Sequence, residues 1–259
     1  MFKKLLCIIC SFLLIAGLFC GCSEQNNDPH TDPDSVNYIG EIANVSGSVL
    51  LVCGCDDTAS SGELYTVGIA SKEIVDANGA VVSPDQLKVG MKVSITYSGH
   101  IQATFPSHFD SVTKITVLEE GDDLVSMYLE VLKSLYESSP GLNSDIEMIS
   151  IDLTKTTNLT NAQKSALTYL CWNEFDIEPY NYTHKQLCDE GLINEETLTF
   201  EKGILFEIGV NDEPAPTDRK FEFYASKWRS GDGAVDIHDC VAKCDGGVWS
   251  YRIGTNSVS

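Results

Sequence analysis

The sequence is poor in basic residues. It contains 17 lysines and arginines against 38 aspartates and glutamates, which gives a formal net charge of −21 at pH 7. Nucleic-acid binding requires clustered lysine and arginine that neutralise phosphates, and electrostatic docking on anionic lipid requires a polybasic segment. The composition therefore argues against nucleic acid as a partner and against an electrostatic attachment to membranes.

The sequence also lacks the motifs of several common chemistries. It contains no serine nucleophile elbow, no His-Glu-x-x-His motif and no glycine-rich phosphate loop. His100 and His108 lie near Asp110, but their irregular spacing favours a surface loop over a metal site. We therefore expect no cofactor and no metal ion, and we assign no catalytic residue.

One long apolar run is present, and it lies at the N-terminus. Lys3 and Lys4 precede an apolar stretch over residues 5–19, and a glycine followed by Cys22 ends the segment. This order of parts is typical of an export signal. An uncleaved membrane anchor is the alternative, but the stretch is slightly short for a membrane span. Residues 1–21 are thus predicted to be a signal peptide.

The end of this segment resembles a bacterial lipobox, in which a peptidase cuts before the cysteine and that cysteine is lipidated. The resemblance implies that Cys22 carries at least two acyl chains, which hold a protein stably to a membrane. Residues 22–37 contain almost no apolar side chains, which predicts a flexible acidic tether. We expect a lipid-anchored protein on the extracytoplasmic face of the cell membrane, with that membrane as a partner.

Six further cysteines follow the tether. Disulfides are permitted in an exported protein, although a chain of this length does not need them to fold. Cys171 and Cys188 lie in neighbouring predicted helices, which makes them the first candidates for a bridge. Buried free thiols are the alternative for all six, namely Cys53, Cys55, Cys171, Cys188, Cys240 and Cys244.

Residues 38–118 have the pattern of an all-β domain. Residues 91–97 alternate between apolar and polar side chains, and Asn78-Gly79 is a strong signal for a tight turn. Five or six short strands in about 80 residues predict a small barrel of the OB type. The region resembles a domain of unknown function that is common in Gram-positive lipoproteins and has no established activity. The resemblance rests on residues 40–42, 81–93, 97–99 and 105–106.

An acidic joint at residues 119–123 marks the predicted boundary to a second domain over residues 122–259. Residues 160–163 and 183–186 are capping boxes that open helices, and later segments alternate as strands. Asp245-Gly246-Gly247 is predicted to turn a hairpin between the last two of these strands. Helices followed by long strands predict an α+β domain in which a curved antiparallel sheet wraps a helix, as in cystatin-like and NTF2-like folds. The whole chain is accordingly predicted to be α+β.

Residues 122–254 resemble an uncharacterised α+β module of clostridial-type extracytoplasmic proteins, chiefly in residues 227–234. The resemblance implies no catalytic residue. Tryptophan and arginine are frequent anchors of binding sites, so we single out a candidate ligand or partner site. Its residues are Trp228, Arg229, Asp232 and Trp249.

The interpretation that we favour over a binding role makes the same residues part of the scaffold. Trp228 would then pack in the core against Trp249 or Tyr251, and Arg229 would pair with Asp232 or Asp239.

For the whole chain, we expect a non-catalytic lipoprotein that binds a small molecule or a cell-envelope protein. An enzyme that uses a pocket of the second domain and an acidic cation-binding protein are the alternatives.

The lipid anchor gives the first testable prediction. Cys22→Ala removes the only thiol at which the lipobox resemblance places the acyl chains. We expect the variant to be released from membranes or to keep its signal uncut, as measured by membrane fractionation and by the mass of the chain. Unchanged processing together with unchanged membrane attachment would refute the lipoprotein assignment.

Overall fold

The computed structural model describes residues 35–55, 62–212 and 217–259, which form one compact unit of two β-sheets and three α-helices. The predicted signal peptide, the lipidation site Cys22 and most of the tether lie outside the described residues. They therefore stay predictions. Among the described residues, no helix is long and apolar enough to cross a membrane.

The first sheet contains eight strands, and a 3₁₀ turn at Pro84–Gln86 accompanies it. Its strand order is β4-β8-β5-β1-β2-β3-β7-β6, in which the β3–β7 and β4–β8 pairs are parallel and the others antiparallel. The strands are β1 (Val36–Ser46), β2 (Val49–Gly54), β3 (Leu64–Gly68), β4 (Glu73–Asp76), β5 (Lys92–Tyr97), β6 (Ile101–Gln102), β7 (Ser107–Phe109) and β8 (Lys114–Glu119).

This sheet is not closed, so the prediction of an OB-like barrel is wrong. Among the described strands, β4 and β6 form two separate edges of a mixed sheet. A barrel covers its apolar residues by closing on itself. Here the central strands instead bury their second face against helices, and β2 has five buried residues in a row for that reason.

The second half contains three helices, a 3₁₀ turn at Pro140–Asn143 and a second sheet. The helices are α1 (Leu124–Glu137), α2 (Asn161–Phe175) and α3 (His184–Asp189). The strands are β9 (Met148–Asp152), β10 (Pro179–Tyr180), β11 (Gly203–Val210), β12 (Lys220–Ser230), β13 (Gly233–Asp245), β14 (Val248–Arg252) and β15 (Thr255–Val258). Their order is β10-β9-β11-β12-β13-β14, and β15 also pairs with β13.

The second sheet is mixed, which corrects the prediction of a purely antiparallel cystatin-like or NTF2-like sheet. Strand β9 pairs in parallel with both β10 and β11. Parallel neighbours need a long crossover connection, and α2 and α3 supply it between these strands. Strands predominate throughout the described chain, so the predicted α+β class is only roughly matched.

Several local predictions are confirmed. Thr160 and Thr183 each form a complete capping box at the start of α2 and α3. Gly246 and Gly247 have φ values of 60° and 84° and turn the hairpin between β13 and β14. These are backbone conformations that glycine adopts without a steric penalty. The local rules therefore succeed where the global class does not.

The six cysteines of the described residues form no disulfide in the structure. The bridge between Cys171 and Cys188 is therefore not formed, because Cys171 is buried in the core and the Sγ atom of Cys188 instead lies 3.6 Å from Nδ1 of His184.

Strand β13 differs from a regular strand. Asp239 has a φ of 53°, so His238 is exposed while Cys240 is buried.

Helices α1 and α2 lie between the two sheets and share one hydrophobic core with both. From the first sheet, Ala43, Leu51, Cys53 and Leu64 join this core, while Ile42 and its neighbours form a separate core on the opposite face. Strands β1 to β3 therefore bury both faces. The division into independently folding domains at residues 119–123 stays a prediction.

The joint between the halves is held by a close backbone contact. A Cβ atom at Gly121 would lie 1.7 Å from the carbonyl oxygen of Gly90, so no larger residue fits there without displacing the backbone. The Asp123 N–H donates to the carbonyl of Gly247 at 3.0 Å. The acidic joint is thus packed against both halves, and it forms one wall of a cavity.

Candidate functional site

A cavity of about 600 Å³ lies beside the joint, between the first sheet, the start of α2 and the ends of β12 and β14. Ligand pockets in proteins commonly fall in this range of volumes. The cavity wall combines carboxylates, amides and apolar side chains. The residues that line the cavity include Glu41, Lys92, Glu119, Glu120, Asp122, Leu124, Thr157, Asn158, Leu159, Gln163, Asp218, Arg219, Phe221 and Trp249.

Glu41 is the polar centre of this cavity. It lies on β1, and its direct cross-strand neighbours are Cys53 on β2 and Lys92 on β5. Successive side chains of a strand point to opposite faces, so Glu41 shares the helix-facing side of the sheet with Ala43. Strand pairing therefore directs a carboxyl group toward the helices.

Gln163 holds this carboxyl group from the side of α2. Its Nε2 donates to both oxygens of Glu41, at 3.0 and 3.1 Å. The amide orientation follows from the capping box, because Oε1 of Gln163 accepts from the N–H of Thr160 at 2.9 Å and leaves Nε2 free to face Glu41. The motif that starts the helix thus also builds the site.

Burial raises the pKa of Glu41 to about 7. The hydrogen bond from Gln163 opposes this rise because it favours the ionised form, and the negative charge of Asp122 adds to it. A glutamate that titrates near neutrality inside a cavity can exchange its proton or its counter-ion at physiological pH.

Two buried donors lie in the cavity wall. Tyr128 donates its O–H to Oδ1 of Asn158 at 2.9 Å, which directs Nδ2 of Asn158 away from that contact. Neither Nδ2 of Asn158 nor Nε1 of Trp249 finds a hydrogen-bond partner among the described residues. Unpaired buried donors are rare in folded proteins and call for an explanation.

The joint also places Trp249. The carboxylate of Asp123 occupies the N-cap position of α1, but it accepts from the backbone N–H of Trp249 at 2.5 Å instead of capping the helix. The Trp249 ring lies 5.1 Å from the Phe221 ring between centroids. Asp122 beside it pairs with Arg219 at 2.6 Å.

The structure separates the residues of the predicted binding site. Trp249 lies in the wall of the cavity, whereas Trp228 belongs to a small separate core with Phe200 and Leu205. In the described part of the chain, no ring contact joins the two tryptophans. Asp232 accepts a hydrogen bond from Ser230 at 3.0 Å in the hairpin turn. The four predicted residues therefore do not form one site.

Arg229 forms hydrogen bonds with backbone carbonyls and no ion pair with an aspartate among the described residues. Its guanidinium donates to the carbonyls of Leu142 and Ser144 at 2.7 Å each, and to the carbonyl of Glu201 at 2.8 Å. The neighbouring Lys227 is fully buried and donates to carbonyls that follow α1, including that of Ser138. Lys227 thus satisfies backbone oxygens at the end of α1, where positive charge is favourable, while Arg229 satisfies carbonyls of the 3₁₀ turn and of the segment before β11.

Sequence reasoning missed Glu41, Asn158 and Gln163. A signal was present for the first of them, because residues 49–53 form a continuous apolar run next to β1, which is typical of a strand that is buried on both faces. Every second residue of β1, which pairs with this run, should then lie against the layer that covers the sheet, and Glu41 is one of these residues. The contact of Gln163 with Glu41 spans 122 positions and has no local signal.

No protein-family model and no curated protein matches the chain significantly. The resemblances to lipoprotein domains therefore stay expectations. In the described part of the chain, no group of three or more histidine, cysteine, aspartate or glutamate side chains is arranged to hold a metal ion.

Because its pKa is raised, Glu41 should make the stability of the folded protein depend on pH. Its pKa is raised from 4.5 to about 7 on folding, so the folded state holds the proton more tightly. The contribution to stability is complete below pH 4.5 and is lost as pH rises through 7, on the order of 3 kcal/mol in all. Glu41→Gln removes this loss while keeping an acceptor for Gln163.

We expect Glu41→Gln to match the wild type near pH 4.5 and to exceed its free energy of unfolding at pH 8, as measured by urea titration at each pH. Glu119→Gln at the exposed rim of the cavity is the control and should follow the wild type. Parallel pH profiles for Glu41→Gln and the wild type would contradict the assignment.

Proposed function

We propose that the chain is a lipid-anchored, extracytoplasmic binding protein that holds a small organic ligand in the cavity beside Glu41. The cavity is the observation that carries the proposal. It combines about 600 Å³ of space, apolar walls at Leu124 and Leu159, and buried donors at Asn158 and Trp249 that lack partners among the described residues. Apolar walls with a few placed polar groups are typical of ligand sites.

The proposed location rests on the N-terminal sequence. The charged, apolar and Gly-Cys order of residues 1–22 supports export and lipidation at Cys22. The acidic composition supports a role away from nucleic acid, because a net charge of −21 repels phosphates. The lipid would hold the protein at the extracytoplasmic face of the membrane.

An enzyme is the second candidate function, and Glu41 is the observation that favours it. A carboxyl group with a pKa of about 7 has the proton affinity of a general acid or base. The cavity wall contains no histidine among the described residues, and Asp122, the acid that acts on the pKa of Glu41, is already paired with Arg219. We therefore favour binding over catalysis.

A screen by thermal shift tests the proposed function. Neutral, cationic and anionic molecules of cavity size are added to the soluble mature chain and to Thr157→Trp. Thr157 is an exposed residue of the cavity wall, so the substitution should fill the cavity without disturbing the core. We expect at least one ligand to raise the melting temperature of the wild type by several degrees and to have no effect on Thr157→Trp.

Thr113→Trp is the matched control, because Thr113 is also an exposed threonine but does not line the cavity. It should respond to ligands as the wild type does. Ligands that stabilise Thr157→Trp as much as the wild type would place binding elsewhere on the protein. A screen without any stabilising ligand would count against a binding function.

A further inference from the structure

Glu41 is a half-buried acid without an ion-pair partner among the described residues. Among the described residues it forms no ion pair, although Lys92 lies opposite it on β5. Its recorded hydrogen bonds come from Gln163, a neutral amide. A buried carboxylate is costly unless a cation or several donors compensate its charge. The open side of Glu41 therefore has the chemistry of a cation site.

The charges around the cavity favour a cation over an anion. Five acidic side chains line it against two basic ones, Lys92 and Arg219, and Arg219 is already paired with Asp122. The remaining acids are Glu41, Glu119, Glu120 and Asp218, the last of which has further interactions of its own. Focused negative potential in a concave site attracts cationic ligands.

The other walls indicate an organic cation instead of a metal ion. The described residues contain no arrangement of ligands for a metal, and Leu124, Leu159 and Phe221 supply apolar surface that an inorganic ion would leave uncovered. The two donors at Asn158 and Trp249 need an acceptor. Each donor atom is covered from solvent, so the side chain has to rotate before a ligand can reach it.

We infer that the cavity binds an organic ammonium compound, with the carboxylate of Glu41 as its counter-ion and a hydroxyl or carbonyl oxygen of the ligand accepting from Asn158 or Trp249. This inference rests on the proposed function, of which it names the ligand class. Charge-assisted hydrogen bonds between an ammonium group and a carboxylate are among the stronger polar contacts in proteins.

Binding of the ammonium group would release the proton of Glu41. The carboxyl group faces Cys53 and Lys92 on the neighbouring strands, and Asp122 and Gln163 from the joint and α2. With a pKa of about 7 for Glu41, about one tenth of the free protein is ionised at pH 6 and about nine tenths at pH 8. Affinity for a permanently cationic ligand should therefore rise about tenfold over that interval.

Tyramine is a suitable probe, because it carries an ammonium group, an apolar ring and a hydroxyl, and its amine stays protonated between pH 6 and pH 8. N-acetyltyramine is the neutral counterpart, and 3-(4-hydroxyphenyl)propionate is the anionic one. We expect calorimetry at pH 8 to show binding of tyramine at least tenfold tighter than of either counterpart. Glu41→Gln should lose this preference and its pH dependence, while Glu222→Gln, which changes an exposed acid of β12 that does not line the cavity, should keep both.

The two possible failures are distinguishable. If the neutral or anionic counterpart binds as tightly as tyramine, or if Glu41→Gln binds tyramine like the wild type, the ammonium inference is overturned while ligand binding in the cavity stands. If no probe binds at millimolar concentration, the ammonium inference also fails. The comparison of Thr157→Trp with Thr113→Trp then decides separately on the cavity.

Discussion

The hydrogen bonds from Gln163 to Glu41 connect the helix layer to the first sheet at a half-buried carboxyl group. A single amide serves both sides, because its oxygen closes the capping box with Thr160 while its nitrogen holds the carboxyl group. Without this amide, Glu41 would be a half-buried acid with no donor from α2, which is a costly arrangement. Helix capping and site geometry therefore depend on the same residue.

The cavity follows from how the layers are assembled. The helices share one core with both sheets, which makes the first sheet apolar on two faces and removes its need to close into a barrel. At the joint, Gly90 and Gly121 bring two backbones into contact. Beside that contact the layers separate, and the space between them is lined by residues from both halves. A site of this kind requires both halves of the chain.

Much of the local structure was predictable from sequence. The capping boxes at Thr160 and Thr183 and the glycine turn at Gly246 were confirmed because each depends on a few adjacent residues. Closure of the first sheet and strand direction in the second were predicted wrongly, since both depend on which distant layers pack together. Of the predicted site residues, only Trp249 lines the cavity. The contact between Glu41 and Gln163 spans 122 positions, and nothing local in the sequence encodes it.

The titration of Glu41 tests this account most directly. Its side-chain carboxyl carbon can be followed by NMR in the folded protein from pH 3 to pH 9, with Glu41→Gln identifying the resonance. The account predicts a pKa of about 7, because the carboxyl group is buried between the first sheet and α2. A pKa near the ordinary value of 4.5 would mean that water reaches Glu41 freely, and it would contradict both the buried contact with Gln163 and the site built on it.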